Sequence, residues 1–195
     1  MMKRILVTGF LPFSSHQTNI SQQIVELISV EEKFRYQVDT AILSVDEKGS
    51  KEIANRILSG DKIDSILHLG YSKNAKEIHM ERFARNRFNM EIADNSGRFL
   101  TSGTICKGNR ILETNVPKGH IDSHLEKISK IRWNEDAGGF VCNETYYRSL
   151  LAAANARDFP KILFIHLPGT EIIPLEEQFE IITKVCDSLE SISEV

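Results

Sequence analysis

The sequence predicts an α/β domain with a largely parallel sheet and helices on both faces. Two observations lead there. Short apolar runs such as Ile5-Leu6-Val7 and Ile162-Leu163-Phe164-Ile165 read as strands buried on both faces, and amphipathic stretches at helical spacing alternate with them. The 195 residues suffice for one substantial core and contain no repeat, low-complexity tract or linker, so residues 1–195 are expected to form a single domain.

Arg4 to Val7 forms the first strand, ending near Gly9. A loop follows, then a helix carrying Ile20, Ile24, Leu27 and Ile28 on one side. Val38 to Val45 is a second strand, and Ser50 to Leu58 a second helix with Ile53, Ile57 and Leu58 in phase. Asp64 to Leu69 supplies the third strand. From Ile78 to Pro117 the periodicity weakens, and the turn signals Asp94-Asn95-Ser96-Gly97 and Gly103 point to strands joined by long loops. After Cys142 a helix is marked by Tyr146, Tyr147, Leu150, Leu151 and Ala154. Lys161 to Leu167 is a fourth strand, apolar apart from its first residue and His166, and Pro174 to Leu189 closes the chain as a helix with proline near its first turn.

Composition narrows the function. With 41% hydrophobic and 26% charged residues and a formal net charge of −3, the chain lacks the basic excess that nucleic acid or an anionic membrane surface would call for. The apolar run after Met1-Met2-Lys3-Arg4 is too short for a signal-peptide core, and no segment reaches membrane-spanning length. Cys106, Cys142 and Cys186 are odd in number and have no metal-type spacing, which suits free thiols in the cytoplasm. No cofactor or metal is called for, and self-association is left open.

In parallel α/β sheets, sites collect just beyond the carboxyl ends of strands. Gly9-Phe10-Leu11-Pro12-Phe13, Gly70-Tyr71, Cys142 and His166 all follow or end extended runs. Cys142 also falls at a helix N-terminus, where unpaired N–H groups and the positive dipole end favour a thiolate. Glu81 adds a carboxylate that the pattern does not locate. A thiol, an imidazole and a carboxylate are the three parts of a cysteine hydrolase: nucleophile, general acid and base, and the group that orients the imidazole. Elsewhere, His120 and His124 are read as solvent-facing helix residues, His68 as a satisfied core histidine, and Cys106 and Cys186 as structural.

These residues sit in motifs that resemble the pyroglutamyl peptidase I family, also called pyrrolidone-carboxylate peptidases. Gly9-Phe10-Leu11-Pro12-Phe13 with Asn19-Ile20-Ser21 is similar to the family's N-terminal signature. Glu81-Arg82-Phe83-Ala84-Arg85-Asn86 with Asp94-Asn95-Ser96-Gly97 resembles its glutamate motif, Ala137 to Asn143 its cysteine motif, and Phe164 to Pro168 its histidine strand. The resemblance implies a three-layer α/β/α sandwich around a mixed sheet. It also implies Cys142 as nucleophile, His166 as acid and base, and Glu81 as the group that orients and stabilises His166. Asn19 and the position of Tyr71 join the implied binding residues. A 5-oxoprolyl group is a flat, neutral lactam, so its pocket needs apolar walls and a few hydrogen-bonding groups, and Phe10, Phe13, Ile92 and Val141 are expected to supply the walls.

Three departures bear on specificity. Tyr71 stands where the family usually has glutamine, Glu91 replaces an arginine, and the segment after His166 is compressed to Leu167-Pro168-Gly169-Thr170-Glu171-Ile172-Ile173. A carboxylate at residue 91 near the sulfur would disfavour a thiolate. If both positions line the pocket, it has lost an amide side chain at residue 71 and gained a carboxylate and should bind the neutral lactam less well, so weak pyroglutamyl hydrolysis is expected, rising when Tyr71→Gln and Glu91→Arg are combined. Two readings of function follow. One is a cysteine peptidase acting on peptides with a blocked, pyroglutamyl N-terminus, with weakened or shifted specificity. The other is a catalytically silent relative that keeps the fold as a ligand-binding or interaction protein.

Overall fold

Apolar runs that cannot face water on either side must lie inside a sheet, and three of them form its interior. In the computed structural model, which describes residues 2–14, 17–156 and 159–192, these are β1 (Arg4–Phe10), β3 (Ser65–Tyr71) and β8 (Lys161–Leu167). With β2 (Gln37–Leu43), β4 (Ile78–Glu81) and β7 (Ile131–Asn134) they make one six-stranded sheet in the order β2-β1-β3-β8-β4-β7. Neighbours run parallel except β4 and β8, which are antiparallel. The sheet is therefore mixed and mostly parallel, with the β4-β7 pair reversed relative to the other four strands.

Strand alternation sends side chains to two different cores. On one face Ile5, Val7, Leu67, Leu69, Leu163, Ile165 and Leu167 meet α1 (Ile20–Ser29), α3 (Lys118–Leu125) and α5 (Leu175–Glu190). On the other, Leu6, Ile66, Ile162 and Phe164 meet α2 (Glu47–Leu58) and α4 (Val141–Asn155). The result is a three-layer α/β/α architecture. A small antiparallel ribbon of β5 (Phe83–Arg85) and β6 (Ile111–Glu113) lies beside the second core, and a long loop, 86–110, joins its strands. No helix among the described residues is long and apolar enough to cross a membrane.

The elements differ from the sequence pattern in instructive places. Helix α2 starts at Glu47, ahead of the apolar residues that marked it, because Asp46 caps it by accepting from the Gly49 N–H at 2.8 Å. Strand β7 and helix α3 were not evident from periodicity. The first is a four-residue edge strand held by its pairing to β4, and the second carries only two buried residues, Ile121 and Leu125. His120, expected to face solvent, is half-buried. Its Nε2 lies 2.9 Å from the Ser188 carbonyl oxygen and so tethers α3 to the end of α5.

Candidate active site

The site assembles where three strand ends and one helix start meet. His166 is the sixth residue of β8, and its register partner on β3 is Gly70, while on the antiparallel side it faces His79 of β4. Two residues along β4, Glu81 sits on the same sheet face as His166, and its Oε1 lies 2.8 Å from the imidazole Nδ1. The second carboxylate oxygen, Oε2, accepts from Asn134 Nδ2 at 2.9 Å, Asn134 being the register partner of Glu81 on β7. The Tyr146 hydroxyl of α4 donates to the Glu81 carbonyl oxygen at 2.9 Å. Carboxylate and backbone are thus both fixed, which orients the ring.

Cys142 is the second residue of α4. No side chain caps that helix at Phe140, so no side-chain oxygen occupies its first-turn N–H groups. The sulfur packs over β3 at Gly70, where an added Cβ would stand 3.0 Å from Sγ and 2.8 Å from the Phe164 ring. Only glycine leaves that space. Asn143 secures the helix start, accepting from the Arg85 N–H at 2.8 Å and donating to the Arg85 and Arg87 carbonyls at 2.8 and 3.2 Å. At Gly139 the backbone approaches Asn89 so closely that a Cβ would lie 2.7 Å from Asn89 N, and Asn89 N–H donates to the Gly139 carbonyl at 2.9 Å.

His166 is 9% exposed. Burial alone would lower its pKa, but hydrogen bonds to Cys142 and to Glu81 outweigh desolvation and raise it to about 10, so the imidazolium is favoured between the two partners. His68, one strand over, behaves oppositely. Fully buried, it is pushed down to about 3 by desolvation, and its ring nitrogens meet only neutral groups, Thr8 Oγ1 at 2.7 Å and Ser149 Oγ at 3.1 Å. One histidine is built to carry charge and the other to stay neutral.

The residues expected to bind substrate separate into two groups. Phe13 is half-buried and packs on Phe140 with ring centroids 5.8 Å apart, next to the helix start that bears Cys142. Ile92 is exposed and Tyr71 half-buried, so both keep accessible surface. Phe10 and Val141 do not. They are 2% and 0% exposed, and Phe10 stacks behind Phe164 at 6.4 Å, so both back the site rather than line it. Asn19 is buried as the cap of α1, accepting from Ser21 N–H at 3.0 Å and donating to the Leu11 carbonyl at 3.2 Å. Its amide ties the start of α1 to the loop that carries Phe13.

The departures are also located. Glu91 is exposed, where solvent and salt screen its charge. Tyr71 packs against the core on the α1 and α5 face, opposite the face that holds Cys142. The short segment after His166 is secured by buried Gln178 of α5, whose Nε2 donates to the Ile173 carbonyl at 2.7 Å and the Pro168 carbonyl at 3.2 Å. From sequence no site role is expected of Asn134, Asn143 or Tyr146. Asn143 lay inside the cysteine motif, and the other two had no local signal because their partners are distant in the chain.

The chain is similar to known proteins over most of its length. The family model described as pyroglutamyl peptidase matches residues 3–185. The chain is 30% identical over 169 residues to the pyrrolidone-carboxylate peptidase of Staphylococcus saprophyticus, covering 85% of this chain and 78% of that one. It is 29% identical over 175 residues to that of Pyrococcus furiosus, covering 85% and 80%. The crystal structure of pyrrolidone carboxyl peptidase from Fervidobacterium islandicum AW-1 superposes with a TM-score of 0.85 at 29% identity, over 96% of this chain and 98% of that one.

Proposed function

Because the chain belongs to the pyroglutamyl peptidase family, we propose that it is a cysteine peptidase that removes an N-terminal pyroglutamyl group from peptides, with Cys142, His166 and Glu81 as its catalytic set. The observation that carries the assignment is the His166 ring held by Glu81 at 2.8 Å, with the Cys142 sulfur close enough to help raise the imidazole pKa. In the reaction, the sulfur attacks the exocyclic carbonyl carbon of the 5-oxoprolyl residue while its proton resides on His166. First-turn N–H groups of α4 stabilise the oxyanion, a contribution of about 3 to 4 kcal/mol per donor. The tetrahedral species collapses as His166 gives its proton to the departing amine, leaving a thioester. Water, deprotonated by His166, then releases 5-oxoproline and regenerates the thiol.

Phe13, Phe140 and Ile92 are suited to hold a flat lactam without an ammonium clamp, which supports a blocked N-terminus as the substrate feature. The six-stranded sheet carries a core on each face, which supports reading residues 1–195 as a single domain. The three free cysteines fit a reducing cytoplasm. Fluorogenic peptides beginning with pyroglutamate, proline or acetyl-alanine test the assignment. Release from the pyroglutamyl substrate alone, abolished by iodoacetamide at Cys142, is expected. Turnover of none of them by folded protein would favour a catalytically silent relative.

A further inference from the structure

Two residues beyond Cys142, Glu144 carries a fully buried carboxylate, with no solvent contact at all. Arg98 from the 86–110 loop reaches both its oxygens, Nη2 to Oε2 at 2.6 Å and Nη1 to Oε1 at 3.3 Å. Arg148, one turn along α4, donates to Oε1 through Nε at 3.0 Å and Nη2 at 2.8 Å. Arg98 Nε continues to Asp94 Oδ2 at 2.8 Å, and Asp94 Oδ1 accepts from the Ser96 and Arg98 N–H groups at 3.0 and 2.9 Å, closing the loop tip. Two carboxylates and two guanidinium groups therefore form a charge-balanced cluster. The same tip is tied on its other side, where Asn95 Nδ2 donates to the Pro12 carbonyl at 3.0 Å and Asn95 N–H to the Val45 carbonyl at 2.8 Å.

A buried ionic cluster is a poor way to gain stability, because desolvating the charges offsets most of their attraction. Its distinctive product is geometry: a bidentate guanidinium fork permits one position of the loop relative to the helix. That position matters, because the Phe13 segment adjoins Pro12 and Phe140 adjoins the start of α4, and the tip spans from one to the other. We propose that Glu144 and Arg98 are positioning residues, a clasp that fixes the walls of the acyl pocket around Cys142 and so sets substrate affinity. The inference rests on the pyroglutamyl peptidase reading for its kinetic arm only.

Glu144→Gln keeps the shape of the side chain and removes its charge, and Arg98→Lys keeps the charge and removes the fork. Arg98 lies in a loop, so the second variant is available if the first does not fold. With the pyroglutamyl fluorogenic substrate, KM is expected to rise about tenfold in Arg98→Lys and more in Glu144→Gln, with kcat changed less than about threefold. Phe99, 52% exposed beside the clasp, provides a readout independent of activity: chymotrypsin is expected to cut there at least tenfold faster in the folded variants than in wild type. Faster cutting with no turnover by any form would leave the clasp standing and sink the assigned activity. Unchanged KM and unchanged cutting at Phe99 in folded Arg98→Lys would overturn the clasp, as would a fall in kcat and melting temperature with KM constant.

Discussion

The two faces of the central sheet are built from different materials. On the α1, α3 and α5 face the fully buried side chains are mostly aliphatic, Ile5, Ile24, Leu67, Ile165, Ile182 and Val185 among them, and the buried polar ones, Ser21, Gln178 and Ser188, are uncharged. The α2 and α4 face buries Phe164, Tyr146 and Tyr147 and also His68, Glu81, Glu144 and Ser149. Adjacent residues of β8 show the contrast: Ile165 points into the aliphatic core and His166 into the site. Burying charge and imidazole costs free energy that must be recovered through specific partners, so a domain that needs both stability and a reactive centre gains by separating them. The aliphatic face holds the sheet, and the aromatic, polar face uses that rigidity to aim its groups.

Cys142→Ala should produce the largest effect, a loss of about 10⁴ or more in kcat/KM on pyroglutamyl peptides. Stability at neutral pH should fall only by the lost support of His166, about 1.4 kcal/mol for each unit by which its pKa drops, because the helix start is held by Asn143 and not by the sulfur. A large fall in melting temperature in that variant would mean that site and scaffold are not separable. Ile165→Ala is the reciprocal change on the neighbouring residue. Removing a wholly buried side chain should cost about 2 to 5 kcal/mol in chemical denaturation while leaving kcat/KM of the folded fraction within about threefold. Loss of turnover without loss of stability would erase the division between the faces.

His166 gives a pH-dependent test of intermediate size. Its pKa is raised in the folded protein, to about 10, so the stability it contributes is fully present below the ordinary histidine value of about 6.5 and is lost as pH rises through about 10. Imidazole NMR should show His166 protonated at neutral pH and His68 neutral throughout, and Cys142→Ala should lower the His166 midpoint by removing one of its two partners. Titration of His166 near 6.5 in the wild type would show that the pair does not hold the proton.

The smallest effect is expected from Tyr71→Gln combined with Glu91→Arg. From sequence these changes promise a clear gain in pyroglutamyl hydrolysis, on the argument that the pocket has lost an amide side chain and gained a carboxylate. With Glu91 exposed and Tyr71 packed toward the aliphatic face, the expected change in kcat/KM is less than about threefold and shrinks further with added salt. A tenfold gain would show that the two positions reach the pocket after all.

The sequence by itself determined most of the strand and helix alternation, with helices on both faces of the sheet, and named the residues proposed for the site, because apolar periodicity and residue type are local properties. Val7 and Leu67 announce buried strands wherever they end up, and Cys142 before a helical pattern announces a helix start. Tertiary structure alone decided that β4 runs against β8, which turns Glu81 toward His166, and that the neighbouring β7 brings Asn134 to the free carboxylate oxygen. It also decided that Glu144, in an ordinary helical position, meets Arg98 from a loop marked in the sequence by its turn signals and a family motif, 46 residues away. Hydrogen bonds and ion pairs of that kind depend on distance in space, and a chain order that leaves two residues far apart carries no record of their meeting.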